Sequence, residues 1–158
     1  MGFEDGGGNF RHAKLLIWDT AGQEVFRTFT SNFLRNTQAC LLCFDITGRA
    51  SFRAAATTWI KEMQSSEISL GNVFVVGTKS DLAASRVVSV EEGQDLARTI
   101  GAVSYSEISA ETGDGIASLF ASVARHVFDS TPSTALALAG HRLWLGRKPG
   151  GEKCSATC

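Results

Sequence analysis

The segment DTAGQE carries three residues that are suited to phosphate chemistry. The carboxylate of Asp19 can hold a magnesium ion through water, because this hard cation prefers oxygen ligands. Gly22 has no side chain, so its N–H can approach a terminal phosphate, and the amide of Gln23 can orient an attacking water. The segment therefore indicates a site for a phosphate, a magnesium ion and a water, although Asp19 taken alone could instead cap a turn or a helix.

Two further loops, GTKSDL and EISAE, place polar groups directly after apolar runs that predict strands. The residues of these loops that we select as candidate ligand-binding residues are Thr78, Lys79, Asp81 and Leu82 in the first, and Ser109, Ala110 and Glu111 in the second. In open α/β sheets, ligands bind beyond the carboxyl ends of the strands. The convergence of three such loops at one end of a sheet is stronger support for a site there than any single motif.

The strands that must position these loops are predicted from apolar runs bounded by turn residues. They are KLLIW (residues 14–18), ACLLCFDI (residues 39–46), residues 73–77 and VSYSEI (residues 103–108). The run over residues 39–46 is continuously apolar, which predicts a strand buried on both faces. The stretch EDGGGN (residues 4–9) predicts a turn between two strands.

Helices are predicted between these strands, and residues 23–36 are expected to be irregular to helical. One helix opens with a capping box from Ser89 to Glu92 and ends near Gly101, and another has Ser51 as its expected N-cap. Two apolar faces have helical spacing: Phe52, Ala55, Ala56, Trp59, Ile60 and Met63, and then Ile116, Leu119, Phe120, Val123, Ala124 and Val127, with Pro132 just beyond. The alternation predicts an α/β fold in three layers, a mostly parallel sheet with helices on both faces.

Composition excludes several other classes of protein. Fifteen basic and 16 acidic residues give a net charge of -1, so no basic field indicates a nucleic-acid partner. No signal peptide and no apolar run of membrane-spanning length is found, which favours a cytoplasmic protein. Cys40 and Cys43 form a C-x-x-C inside a predicted strand, where they point to opposite faces, so we expect core residues and not a redox or zinc site.

The motifs WDTAGQE (residues 18–24) and FDITGRASF (residues 44–52) resemble a small GTPase of the Ras superfamily, and within it the Rab branch. The resemblance runs over residues 14–127 and implies a P-loop NTPase fold that lacks its first strand and helix. It implies GTP or GDP and Mg²⁺ as cofactors, with Gln23 as the catalytic residue and Asp19 holding the metal through water. It further implies a switch in vesicle traffic on the cytosolic face of endomembranes, with effectors and regulators bound at residues 25–35.

The same resemblance assigns the guanine base to the other two loops. Asp81 would accept two hydrogen bonds from the base, the stem of Lys79 would lie over it, and the N–H of Ala110 would meet the guanine oxygen. This sequence departs from the family at two positions: Thr78 stands where the family has Asn, and Glu111 where it has Lys. We expect weaker bracing of the loops from the first change and weaker nucleotide binding from the second.

The phosphate-binding motif G-x-x-x-x-G-K-[ST] is not found, and the dipeptide Gly-Lys occurs nowhere in the 158 residues. We therefore expect feeble binding of nucleotide and magnesium, and negligible hydrolysis. A truncated gene model or splice product would explain this simply. The strand at residues 14–18 would have to close the gap left in the sheet, or the fold would be marginal.

The chain is expected to comprise one incomplete domain over residues 1–130 and a flexible tail over residues 131–158. Cys154 and Cys158 are irregular prenylation candidates that could anchor the tail to a membrane, or they are plain thiols. Three hypotheses remain open: a Rab-like switch, a non-catalytic interaction module that uses residues 25–35, and a non-functional fragment.

Overall fold

The computed structural model describes residues 2–4, 8, 10–19, 37–65 and 69–131. The strands are β1 (Gly2–Glu4), β2 (Phe10–His12), β3 (Cys40–Asp45), β4 (Val73–Thr78) and β5 (Ser104–Ile108). The helices are α1 (Arg49–Ala54), which continues through a π-helical turn (Ala55–Trp59) into α2 (Ile60–Ser65), then α3 (Val90–Ile100) and α4 (Ile116–Ser130). Short 3-10 helices span Leu70–Asn72 and Ser80–Ser85.

The central sheet contains three parallel strands in the order β3-β4-β5. In β4 the residues from Val73 to Gly77 are buried, as its run of valines and phenylalanine requires. Asp45 lies opposite Thr78, and Thr78 lies opposite Ile108. The three strands therefore end at the same edge of the sheet, and the predicted α/β fold with a parallel sheet is confirmed.

Helices cover both faces of this sheet, as predicted. Residues of β3 and β4 alternate between the two faces because successive side chains of a strand point in opposite directions. On one face Leu42, Phe44 and Val75 pack with Ala55, Ile60, Met63 and Ala97 of the helices from α1 to α3. On the other face Phe74 and Val76 pack with Leu119 and Val123 of α4.

The strand predicted at residues 14–18 is wrong. This segment has no strand structure, and its side chains Leu16, Ile17 and Trp18 are 63%, 64% and 62% exposed. Most of the turn predicted over residues 4–9 lies outside the described residues, but two strands flank it: β1 precedes it and β2, which pairs antiparallel with β1, follows it. A strand forms only where a partner satisfies its N–H and C=O groups. Within the described ranges β1 pairs with β2 and β3 with β4, so residues 14–18 do not close the sheet.

The prediction that residues 39–46 are buried on both faces is also wrong in part. Leu42 and Phe44 are buried, but Leu41 on the other face is only half-buried and Cys43 is exposed. Cys40 packs against the core, where burial, together with the nearby Cys43, raises the pKa of its thiol to about 11. The core interpretation of the C-x-x-C pair therefore holds for Cys40 and fails for Cys43.

The helix ends follow the sequence signals unevenly. In the predicted capping box the N–H of Glu92 donates to Oγ of Ser89 and the N–H of Ser89 donates to Oε2 of Glu92, and α3 ends at Gly101 with φ 69°. The expected N-cap at Ser51 is wrong, because α1 begins two residues earlier and its N-cap is Gly48. Ser51 instead donates to the carbonyl of Gly48 and accepts the N–H of Asp45.

Several predictions lie outside the described residues. These are the helical tendency of residues 23–36, the binding of effectors and regulators at residues 25–35, and the tail predicted over residues 131–158, of which the structure describes residue 131 alone. Within the described ranges, no helix has the length and apolarity to cross a membrane.

Candidate functional site

The loops that follow β3, β4 and β5 meet at the carboxyl edge of the sheet. Asp45 is the last residue of β3, Lys79 follows β4, and Ser109 follows β5. Side chains connect all three loops: Lys79 contacts Asp45, and Ser109 contacts Asp81. The structure therefore brings together the two loops that the sequence assigned to one ligand, and adds a third.

Ser109 is fully buried and joins the loop after β4 to the loop after β5. Its hydroxyl donates to Oδ1 of Asp81 over 2.5 Å. The same oxygen accepts the N–H groups of Glu111 at 3.2 Å and Thr112 at 3.1 Å. Asp81 is thus held in one orientation, although the residue itself is exposed at the surface of the site.

Lys79 has a left-handed backbone conformation, with φ 63° and ψ 40°. Its Nζ lies 2.7 Å from Oδ2 of Asp45. This partner raises the pKa of Lys79 above its ordinary value. Burial works to raise the pKa of Asp45, but hydrogen bonds from Lys79 and Thr47 outweigh it and hold that pKa below its usual range. Both groups are therefore charged at neutral pH.

Two other residues of the first loop have structural contacts within the described chain. The hydroxyl of Thr78 donates to the carbonyl of Phe44 over 3.1 Å, so it braces the end of β4 against β3. The N–H of Leu82 donates to the carbonyl of Lys79, and the side chain of Leu82 is exposed beside the site. The hydroxyl of Thr78 therefore bonds to a neighbouring strand, and the expected weakening of the bracing between loops stays a prediction.

A second ion pair, which the sequence did not reveal, lies behind the site. The guanidinium of Arg86 makes two hydrogen bonds of 2.7 Å to the carboxylate of Glu107, in β5. This pairing lowers the pKa of Glu107 against the effect of burial. The hydroxyl of Tyr105 also donates to Glu107, and its ring fits only because residue 93 is glycine, where a Cβ would lie 2.4 Å from the ring.

Of the three residues predicted for the phosphate side, only Asp19 lies within the described residues. Asp19 is exposed, and the pKa of the Cys43 thiol is raised, first by the loss of water around its sulfur and then by the charge of Asp19. Gly22 and Gln23 lie outside the described residues, as do Cys154 and Cys158. Within the described ranges, no group of three or more His, Cys, Asp or Glu side chains could hold a metal ion.

Residues 7–129 match the family model described as the Ras family. The chain belongs to the Ras family. It is 37% identical over 125 residues to Ras-related protein Rab-1 of Theileria parva, in an alignment that covers 77% of this chain and 56% of that protein. The chain therefore spans a little over half the length of the curated relative it matches. The predicted resemblance to a Rab-like small GTPase is confirmed.

Some residues of the site could be predicted from the sequence because they lie in loops that the resemblance to the Ras family singles out. Asp81, Lys79 and Ser109 lie in the two loops to which the resemblance assigned the guanine base, and Ser109 bonds to Asp81 in the structure. Asp45 lies in FDITGRASF, which was used only to identify the branch of the family. The sequence contained a signal for Asp45, which is a carboxylate at the end of an apolar strand. It contained no signal for the pairing of Arg86 with Glu107.

Proposed function

We propose that this Ras-family chain binds guanine nucleotides through the loops after β4 and β5, and that it acts as a Rab-like switch in intracellular membrane traffic. The switch would operate on the cytosolic face of endomembranes and bind effectors and regulators through residues 25–35. The observation that carries the proposal is the bond from buried Ser109 to Asp81. It orients a carboxylate at the sheet edge where α/β proteins bind their ligands.

The chemistry of this carboxylate favours guanine over adenine. One oxygen of Asp81 accepts from Ser109, which leaves the second oxygen and the remaining lone pairs to accept donors from a ligand. Guanine presents a ring N–H and an exocyclic amine on one edge, while adenine presents a different pattern. A polar group left unpaired on binding costs about 1–3 kcal/mol, so the wrong base is rejected.

The loop after β5 supplies a donor that complements the carboxylate. Ala110 is exposed, and its N–H makes no hydrogen bond to another group of the described chain. This N–H can donate to the oxygen of a guanine base. Glu111 is exposed next to it and brings a negative charge to the rim of the site, which disfavours the phosphates of a nucleotide.

The phosphate half of the site is weak in this polypeptide. Hydrogen bonds to charged groups contribute about 1.5–3 kcal/mol each. A chain without the G-x-x-x-x-G-K-[ST] motif lacks several such bonds, together about 6 kcal/mol or about four decades in affinity. We therefore propose that the 158 residues bind GDP and magnesium weakly and hydrolyse GTP negligibly.

Ligand-observed NMR titrations with GDP and ADP test the proposal on the purified chain. We expect weak binding of GDP, weaker binding of ADP, and loss of the preference for GDP in Asp81→Asn. Asp95→Asn is the matched control, because Asp95 is an exposed residue of α3 that pairs with Arg98. Equal binding of GDP and ADP, or a preference that survives Asp81→Asn, would contradict guanine recognition.

A second measurement separates weak binding from the alternatives. Titration of a fluorescent GDP analogue reports tight binding directly, and a thermal melt reports cooperative folding. Submicromolar affinity would contradict the proposed weakness of the phosphate half. A cooperative melt without any nucleotide binding would favour a non-catalytic interaction module, and the absence of a cooperative melt would favour a non-functional fragment.

A further inference from the structure

Asp45 ends β3 with its two carboxylate oxygens assigned to different partners. Oδ1 accepts two hydrogen bonds of 2.7 Å from Thr47, one from its backbone N–H and one from its hydroxyl. Oδ2 lies 2.7 Å from Nζ of Lys79. The side chain of Asp45 is 22% exposed and that of Lys79 is 56% exposed. One oxygen therefore fixes the orientation of the carboxylate, and the other holds the lysine.

The backbone of Lys79 makes this contact informative. Lys79 is the one non-glycine residue with positive φ in the described ranges. This conformation is costly for a residue with a Cβ and persists only where the surroundings determine it. Here the carbonyl of Lys79 accepts the N–H of Leu82 and its ammonium binds Asp45, so both ends of the residue are held.

We propose that Asp45 is a positioning residue for the base site, which it serves by clamping the ammonium of Lys79. The clamp lays the four-carbon stem of the lysine along the sheet edge as an apolar platform on which a planar purine can stack. This inference rests on the proposed function, because the platform matters only if the loops bind a purine base. Asp45 does not touch the base and acts through Lys79.

The charges around the ammonium give the clamp a second consequence. The ammonium of Lys79 lies 2.7 Å from the carboxylate of Asp45, so its positive charge is already paired with a negative charge. Asp45 therefore holds the ammonium at the part of the site where the base would bind, so the ammonium is not available as a phosphate ligand. The clamp thus favours binding of the nucleoside part of a ligand over binding of its phosphates.

Ligand-observed NMR measures the affinity of each chain for guanosine, which has no phosphate, and for GDP, and the chains are then compared. The chains are the parent, Asp45→Asn, Lys79→Met and the double variant, with Asp95→Asn as the control for loss of one exposed carboxylate. Asparagine keeps an oxygen that can accept from Thr47, and methionine keeps an unbranched stem. We expect guanosine affinity to fall about fivefold in each single variant and no further in the double variant, because residues that act as a unit are not additive.

Urea denaturation of the same chains separates positioning from stability. If Asp45 and Lys79 had only a structural role, their replacement would lower the unfolding free energy. The losses of guanosine affinity in the two single variants would then add up in the double variant. If Asp45→Asn does not fold, the guanosine affinity of Lys79→Met decides the test. Unchanged guanosine affinity in Lys79→Met or in folded Asp45→Asn would overturn this inference alone, as would a gain in GDP affinity without a loss for guanosine. Absence of guanosine binding by the parent chain would overturn the proposed function as well.

Discussion

The buried hydroxyl of Ser109 joins Asp81, 28 residues away in sequence, to the turn that follows β5. It donates to Oδ1 of Asp81 and accepts the N–H groups of Glu111 and Thr112. A serine hydroxyl has one donor and two acceptor positions, so all of them are used. One side chain therefore fixes the geometry of two loops at once, and a guanine base would meet groups that are already oriented.

Replacement of Ser109 by Ala tests this relationship. The change leaves two backbone N–H groups without their acceptor and releases Asp81, so we expect the unfolding free energy to fall by about 1–3 kcal/mol. Urea denaturation measures the change. Ser118→Ala is the matched control, because Ser118 is exposed and its hydroxyl donates, within the described residues, to the carbonyl of Gly115, the N-cap of its own helix. We expect the control to change stability by less than about 0.5 kcal/mol, and equal effects of the two substitutions would contradict the bracing role of Ser109.

The features that were predicted correctly from the sequence are those with a local cause. The capping box of Ser89 and Glu92 and the end of α3 at Gly101 depend on residues within one helical turn. The apolar run of β4 identifies a central strand without knowledge of its neighbours. Residues 14–18 have the same kind of run, but a strand also needs a partner, which a local pattern does not contain.

The site shows the same division between local and long-range information. Motifs placed Asp81 and Ser109 at strand ends, and the parallel order of the strands then brings them to one edge. The pairing of Lys79 with Asp45 depends on the register of β3 against β4, in which Asp45 lies opposite Thr78. Register is fixed by packing over the whole strand, so this contact could not be predicted from either loop.

The ion pair of Arg86 and Glu107 predicts a specific dependence of stability on pH. Arg86 lowers the pKa of Glu107 below its ordinary value of 4.5. The unfolded chain therefore binds this proton more readily than the folded chain, so the pair stabilises the fold above pH 4.5 and loses its effect as pH falls through the lower, folded pKa. We expect Glu107→Gln to lower the unfolding free energy by about 1–3 kcal/mol at pH 7, because Arg86 is left without its counter-charge.

Urea denaturation at a series of pH values measures this effect. The difference between the parent chain and Glu107→Gln should narrow as the pH falls below about 4.5. Asp95→Asn is the control, because it removes an exposed pair with Arg98 and should change stability by less than about 1 kcal/mol at pH 7. A difference that stays constant down to pH 2 would contradict a stabilising charge on Glu107.

Two isoleucines in different surroundings test the finding that residues 14–18 are outside the sheet. Ile17 is 64% exposed, whereas Ile46 is 0% exposed and packs in the core beneath the site. Ile46→Ala should lower the unfolding free energy by about 2–5 kcal/mol, because it removes buried methyl groups and leaves a cavity. Ile17→Ala makes the same chemical change and should cost less than about 0.5 kcal/mol, since little apolar surface is lost from the interior. Comparable losses from the two substitutions, measured by urea denaturation, would mean that residues 14–18 are buried in solution and that the sheet has a further strand.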